Sequence, residues 1–266
     1  MEHIADLVNR ILQNASLSPE QPQSSTESSY KCKTCCDTGW IHYEKDGYSY
    51  SMPCECVKKR SAIKRIENSG LRSILDRCTF QSFRCDEPFQ QTMKDNAIKY
   101  GKSLFCGDFE KGNGLPWFFV GGPPGCGKTH ICTALCGKAL RDYSMTVIYM
   151  RWIDEVRRLK AQIMEPEYDD MIAPYLNCDL LYIDDLFKGR SKMVKPSDAE
   201  IRIAFSIIDG RYKQNKPVII SSESSLDDLI EQVDEATFSR VWEKAKENSL
   251  YITGSNRNYR LKGGNQ

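Results

Sequence analysis

The chain has 266 residues and a mass of 30.5 kDa, with 27% charged and 40% hydrophobic residues, the proportions of a folded chain and not of a disordered one. Its 37 basic and 36 acidic side chains leave a net charge of +1, so no global basic field draws it to nucleic acid and any such contact must come from a local patch. No run of about 18 apolar residues occurs, which speaks against a membrane-spanning helix. The start, MEHIADLVNRILQNAS, lacks a basic stretch ahead of a long apolar one and does not read as a secretory leader.

In chain order, Ile4, Leu7, Val8, Ile11 and Leu12 fall on one face of a helix. That face either packs back on its own domain or docks into a partner groove, and residues 1–15 are assigned as a docking helix. The stretch SLSPEQPQSSTESS, 16–29, is polar and reads as a flexible linker. Residues 30–60 form a cysteine-bearing knob. Of the 12 cysteines, five (Cys32, Cys35, Cys36, Cys54 and Cys56) lie within 25 residues. Without an export signal this clustering points to one metal site in a reducing, cytoplasmic compartment, not to a disulfide framework. Cys32-x-x-Cys35 and Cys54-x-Cys56 supply four thiolates for a tetrahedral site suited to Zn²⁺, with Cys36 able to replace Cys35 in register and His42 a lesser candidate. About 25 residues cannot build a core of their own, so the metal is expected to be structural.

Residues 61–112 read as a helical connector, with a basic helix capped near Gly70, the segment CTFQSF, and a second helical stretch over 91–106. From 113 to 266 the pattern becomes α/β. Apolar runs at 117–120, 145–150, 179–183, 217–221 and 249–253 predict buried strands, with helical patterns at 128–141, 152–162, 197–214 and 236–247. Such alternation implies a parallel sheet covered on both faces.

Gly122-Pro123-Pro124-Gly125-Cys126-Gly127-Lys128-Thr129 matches the phosphate-loop pattern GxxxxGK[ST]. It lies after the run WFFV and opens a helical stretch beginning at His130, the setting that motif requires, and Gly122–Thr129 together with His130 are assigned as cofactor-binding. The glycines allow backbone N–H groups to curl around phosphate oxygens at the positive end of a helix. Lys128 can reach the β- and γ-phosphates of ATP, and the Thr129 hydroxyl can ligand Mg²⁺. LLYIDD ends a strand in two acids: Asp184 is the metal-side carboxylate and Asp185 the group that orients the attacking water. The next strand ends Ser221-Ser222-Glu223-Ser224, where either Ser222 or Glu223 serves as γ-phosphate sensor or the serines cap the following helix.

Three basic clusters remain: Lys58, Lys59, Arg60, Lys64 and Arg65; Arg151, Arg157, Arg158 and Lys160; Lys188, Arg190, Lys192 and Lys195. Each is either a solvated face or a phosphate-binding patch with salt-sensitive affinity. Trp152 and Phe187 could stack bases, and Trp152 could equally be core.

GGPPGCGKTH, LLYIDDLFKG, a helix ending IIDGRY and PVIISSESSLDDL together resemble the AAA+ ATPases of the DnaC/DnaI type, the bacterial and phage replicative helicase loaders. The related IstB-like transposition ATPases share much of this pattern. CKTCCDTGW followed by CEC and a basic helix is similar to the zinc knob of phage and Gram-positive loaders, as is SGL with TFQSF, so the resemblance spans residues 30–262. It implies an AAA+ P-loop core of three layers behind a small zinc-binding domain; the 43 residues after Glu223 leave no room for the helical lid that such proteins usually carry. It favours Cys35 over Cys36 as the ligand. It also implies a homo-oligomer in which an arginine of one subunit completes its neighbour's ATP site; Arg240, in ATFSRVWEK, holds the matching position or is a surface helix arginine in an ion pair, and Arg211, in DGRYKQNKP, is second or simply caps the C-terminus of its helix. Relatives often carry asparagine where Glu223 stands, and Arg257 and Arg260 take no sensor role. The implied partners are a hexameric replicative helicase and single-stranded DNA, with weak turnover unless a partner is bound. The rival readings are a transposition ATPase and a nucleotide-gated binding module with negligible hydrolysis.

Overall fold

The computed structural model describes residues 30–45, 47–107, 116–188, 195–254 and 257–259. The docking helix and linker expected over 1–29, and Arg190, Lys192 and Arg260, lie outside the described residues. The chain divides into two compact units, Met1–Ser61 and Ala62–Gln266.

In the first unit, β1 (Trp40–Lys45) and β2 (Tyr48–Pro53) form an antiparallel hairpin that the sequence reading left unassigned. Tyr43 pairs with Tyr50 across it, their rings stacked at 5.5 Å. Cysteine-bearing turns flank the hairpin, and α1 (Glu55–Asn68) begins directly after the second cysteine of the unit's core, Cys54.

The second unit is built on a five-stranded parallel sheet. Its strands are β3 (Trp117–Gly121), β4 (Val147–Arg151), β5 (Leu180–Leu186), β6 (Val218–Ser222) and β7 (Ser249–Tyr251), in spatial order β4-β5-β6-β3-β7. This is the parallel α/β architecture that the sequence implies. The strands are apolar almost throughout because both faces are covered. Alternation sends Trp117, Phe119, Leu181, Ile183, Val218 and Ile220 to one core. It sends Phe118, Val120, Leu180, Tyr182 and Ile219 to the other. The second core is closed by α3 (Pro88–Phe105), which follows the short α2 (Arg72–Leu75), and by α4 (Lys128–Asp142). The first is closed by α5 (Trp152–Ala161), α6 (Tyr168–Asn177), α7 (Asp198–Lys213), α8 (Leu226–Gln232) and α9 (Glu235–Ala245). Helix α6 carries Pro174 in its interior, which hid it from a periodicity reading.

Two expectations change here. Trp152 is 2% exposed and sits edge-on to Phe187, so it is core and offers no face to a base. Arg211 is fully buried: its guanidinium donates to the carbonyls of Tyr175, Leu176, Cys178, Asp179 and Pro217. It fastens the end of α6 and the entries to β5 and β6, and it can act neither as an arginine finger nor as a simple cap on α7. Replacing it strands several buried acceptors at once. Arg211→Ala is expected to cost about 3–5 kcal/mol of unfolding free energy in urea titration; a loss below about 1 kcal/mol would show that those carbonyls find other donors.

Candidate functional site

Strand β3 ends at Gly121, and the loop to α4 runs over Gly122–Gly127. Gly122, Gly125 and Gly127 have φ values of +147°, +75° and +104°, the region L side chains avoid. Space is equally restrictive: a Cβ on Gly125 would lie 2.0 Å from Asn258 Oδ1, and one on Gly127 2.9 Å from the Phe83 ring. The left-handed residue at Gly127 turns the chain into α4, whose first N–H groups then face the loop's concave side. Lys128 is buried, and its ammonium donates to the carbonyls of Gly122 (2.7 Å) and Pro123 (3.1 Å). An ammonium on two loop carbonyls and a run of inward N–H groups are the donor set a polyphosphate needs, so the residues fit ATP.

Strand alternation brings the remaining polar groups to the same sheet face as α4. Asp184, 3% exposed, accepts from Thr129 Oγ1 (3.1 Å), Tyr182 OH (2.5 Å) and Ser221 Oγ (2.6 Å) on Oδ1, and from Tyr149 OH (2.8 Å) on Oδ2. The Thr129–Asp184 pair is the hydroxyl and carboxylate that would hold Mg²⁺. Burial, followed by the Asp184 charge and hydrogen bond, holds the Tyr149 hydroxyl above its ordinary pKa. Burial does the same for Tyr182, with Cys132 and Asp184 adding to it. Both phenols therefore remain donors.

The other expected residues fall as follows. Asp185 has φ +55°; its N–H donates to Ser221 Oγ (3.0 Å), and its carboxylate accepts from Lys188 (2.5 Å). His130 points away from the loop, with Nε2 3.0 Å from the Thr79 carbonyl and the ring edge-on to Phe83, so it does not line the phosphate cradle. Cys126 is buried within the loop. Neither open sensor candidate meets Asp184. Ser222 donates to the Leu186 carbonyl, and Glu223 lies 3.9 Å from Lys188. Ser221 takes that place, and the period of two in VIISS, which sets it on the face of Tyr182 and Asp184, is the signal that could have found it. Arg240 leaves α9 toward α7: Nε donates to Asp209 (3.1 Å), and the guanidinium lies over Phe205 and Tyr212 at 5.3 and 5.7 Å. Arg257 pairs with Glu87 and stacks on Phe89, while the Tyr259 N–H donates to the Gly125 carbonyl (3.1 Å), which lays residues 257–259 against the phosphate loop. In the middle basic cluster, Arg151 pairs with Asp154 and Arg158 with Glu155.

The first unit holds a separate site. The sulfurs of Cys32, Cys35, Cys54 and Cys56 all lie within 4.8 Å of one another, with Cys32–Cys54 at 3.8 Å and Cys35–Cys56 at 3.4 Å. Tetrahedral zinc with Zn–S bonds of about 2.3 Å separates its sulfurs by about 3.8 Å, so these four fit Zn²⁺. Backbone N–H groups of Cys35 and Thr34 lower the Cys32 thiol to about 6, while burial and the neighbouring thiols push Cys56 up to about 12. Cys36 is exposed, and His42 bonds to Ser51 at 2.7 Å, so both stand apart from the cluster. None of the twelve cysteines, all of them among the described residues, forms a disulfide. No helix among the described residues is long and apolar enough to cross a membrane.

Comparison with known proteins adds four findings. The family model for IstB-like ATP-binding proteins matches residues 88–263. The phage-like element PBSX protein XkdC of Bacillus subtilis (strain 168) is 28% identical over 253 residues, 92% of this chain and 91% of that protein. The replicative helicase loader DnaC of Escherichia coli (strain K12) is 23% identical over 201 residues, 74% of this chain and 77% of that protein. A solved structure of the DnaC helicase loader superposes with a TM-score of 0.54 at 21% identity, covering 67% of this chain and 98% of that one, a likeness of fold.

Metal analysis of the purified chain is expected to give one zinc per molecule and none in Cys32→Ser, with the fold of the second unit retained. Zinc retained in Cys32→Ser and in Cys54→Ser would overturn the assignment of these ligands.

Proposed function

The chain belongs to the IstB-like ATP-binding family and is an ATPase, and from that premise we propose that it loads a hexameric replicative DNA helicase onto single-stranded DNA. The observation that carries this reading is the similarity to a replicative helicase loader along 74% of the chain, which takes in the whole phosphate loop and acidic strand. ATP binds through Gly122–Thr129, with Lys128 leaving the loop carbonyls for the phosphates. Thr129 and Asp184 would hold Mg²⁺, which would supply charge neutralisation on the transferred phosphoryl group. Asp185 orients the attacking water once Lys188 yields its carboxylate, Ser221 holds Asp184, and Ser222 or Glu223 is the candidate γ-phosphate sensor. Arg240 acts on the ATP of a neighbouring copy in a homo-oligomer assembled on the helicase. There it exchanges Asp209 for a phosphate.

The zinc unit is structural, since four thiolates fill the metal's coordination. It and residues 1–15 hold the helicase, while the second unit engages single-stranded DNA through Arg157 and its neighbours. The chain works in the cytoplasm and turns over slowly without its partner. A transposition ATPase that recruits a transposase is the second reading, favoured by the family model itself.

Lys128→Ala is expected to abolish ATP binding while the zinc content stays at that of the parent; normal hydrolysis by this variant would refute the site. Arg240→Ala is expected to bind ATP as the parent does and to lose only assembly-dependent hydrolysis, so weaker ATP binding by the isolated subunit would count against the trans role. Capture from host lysate with ATP should retain a replicative helicase, and retention of a transposase in its place would establish the second reading.

A further inference from the structure

Asp184 receives more hydroxyls than a metal site needs. Thr129 and Ser221 reach it from the phosphate helix and from β6, and two phenols come from the sheet itself. Tyr149 and Tyr182 are register partners on adjacent parallel strands, with ring centroids 5.3 Å apart. Tyr182 stands two residues before Asp184 on the same strand face and donates to Oδ1; Tyr149 crosses from β4 and donates to Oδ2. The phenols put a fixed donor on each oxygen: Tyr182 with Ser221 fills the two lone pairs of Oδ1, and Tyr149 takes one of Oδ2, so the plane of the carboxylate is held from the sheet. The capacity left to face a hydrated cation is on Oδ2, 3.5 Å from Thr129 Oγ1.

The two rings are themselves fixed. Tyr182 is fully buried in the core beneath α4. Tyr149 is clasped from the connector, where its N–H donates to the Ser69 carbonyl at 2.9 Å and Gly70 packs on it without a side chain, a Cβ there standing 3.7 Å from the Tyr149 carbonyl oxygen. A carboxylate oriented in advance has less to reorganise when a cation arrives.

We propose that Tyr149 and Tyr182 are positioning residues of the ATPase site, which hold Asp184 in the orientation that receives the water shell of a divalent cation carried by Thr129. They touch neither nucleotide nor cation. The proposal rests on the assignment of Asp184 as the metal-side carboxylate.

The test uses the full chain and Mn²⁺ as probe, its binding followed by electron paramagnetic resonance at a saturating, non-hydrolysable ATP analogue. A fluorescent ATP analogue in the presence of chelator reports metal-free nucleotide binding. Tyr149→Phe removes one oxygen from a part-exposed side chain and carries the test; Tyr182→Phe accompanies it with its unfolding midpoint measured. Tyr149→Phe is expected to weaken Mn²⁺ roughly tenfold, as loss of an outer partner of a metal ligand does. Metal-free nucleotide binding should stay within roughly twofold of the parent. Unchanged Mn²⁺ affinity in both variants overturns the proposal, as does an equal loss with and without metal, which would mark a structural role only. Asp184→Asn separates the two levels. If it leaves Mn²⁺ affinity unchanged, the assignment of Asp184 fails; if it weakens Mn²⁺ while both tyrosine variants do not, the positioning role alone fails.

Discussion

A carboxylate that is 3% exposed, at the carboxyl end of a central strand, is tolerated only if its oxygens are filled with donors. Asp184 meets that condition through hydroxyls from four elements: α4, β4, β5 and β6. The requirement fixes much else. The register of β4 on β5 must bring Tyr149 beside Tyr182, and that of β6 on β5 must bring Ser221 level with Asp184, which it does next to the irregularity between Ile183 and Leu186. The phosphate helix must start where Thr129 can reach across. The same contact that completes a buried polar cluster thus sets the distance between the phosphate loop and the acidic strand, and nucleotide chemistry depends on that distance.

The two units solve different stability problems. The second buries both faces of its sheet, and its buried cation, Arg211, ties three backbone segments together as a polar staple. Among its described residues the first has a two-stranded hairpin with Trp40, Tyr48 and Tyr50 exposed and no buried apolar side chain beyond Cys35 and Cys54. A hairpin of that kind is not stable alone. The four converging thiols are placed to hold a metal that would supply what a core otherwise provides, and since they would bind it as thiolates, that unit's folding would then depend on metal supply and pH.

Local patterns were legible from the sequence. The glycine spacing of the phosphate loop, the acids closing LLYIDD and the paired cysteines each depend on residues a few positions apart, and the structure brings each set together. Ser221, Tyr149 and Tyr182 needed strand register, which only the folded sheet fixes. Two neighbouring serines cannot be told apart by composition; their faces differ, and Ser221 rather than Ser222 points at Asp184. His130 misled for the complementary reason, and Trp152 stayed open between base-stacking and core. Adjacency to a motif suggested function, while the helix phase turned one toward Thr79 and the other into the core. Arg211 read as a second finger candidate or a helix cap because nothing in DGRYKQNKP reveals that five carbonyls converge on it.

The central claim is that Thr129 and Asp184 form one cation site that makes nucleotide binding metal-dependent. Calorimetric titration of ATP into the parent chain and into Asp184→Asn, each with Mg²⁺ and with chelator, tests it most directly. The account predicts that the two proteins bind ATP alike in chelator and that only the parent tightens when Mg²⁺ is present. An Asp184→Asn variant that gains as much affinity from Mg²⁺ as the parent would contradict it.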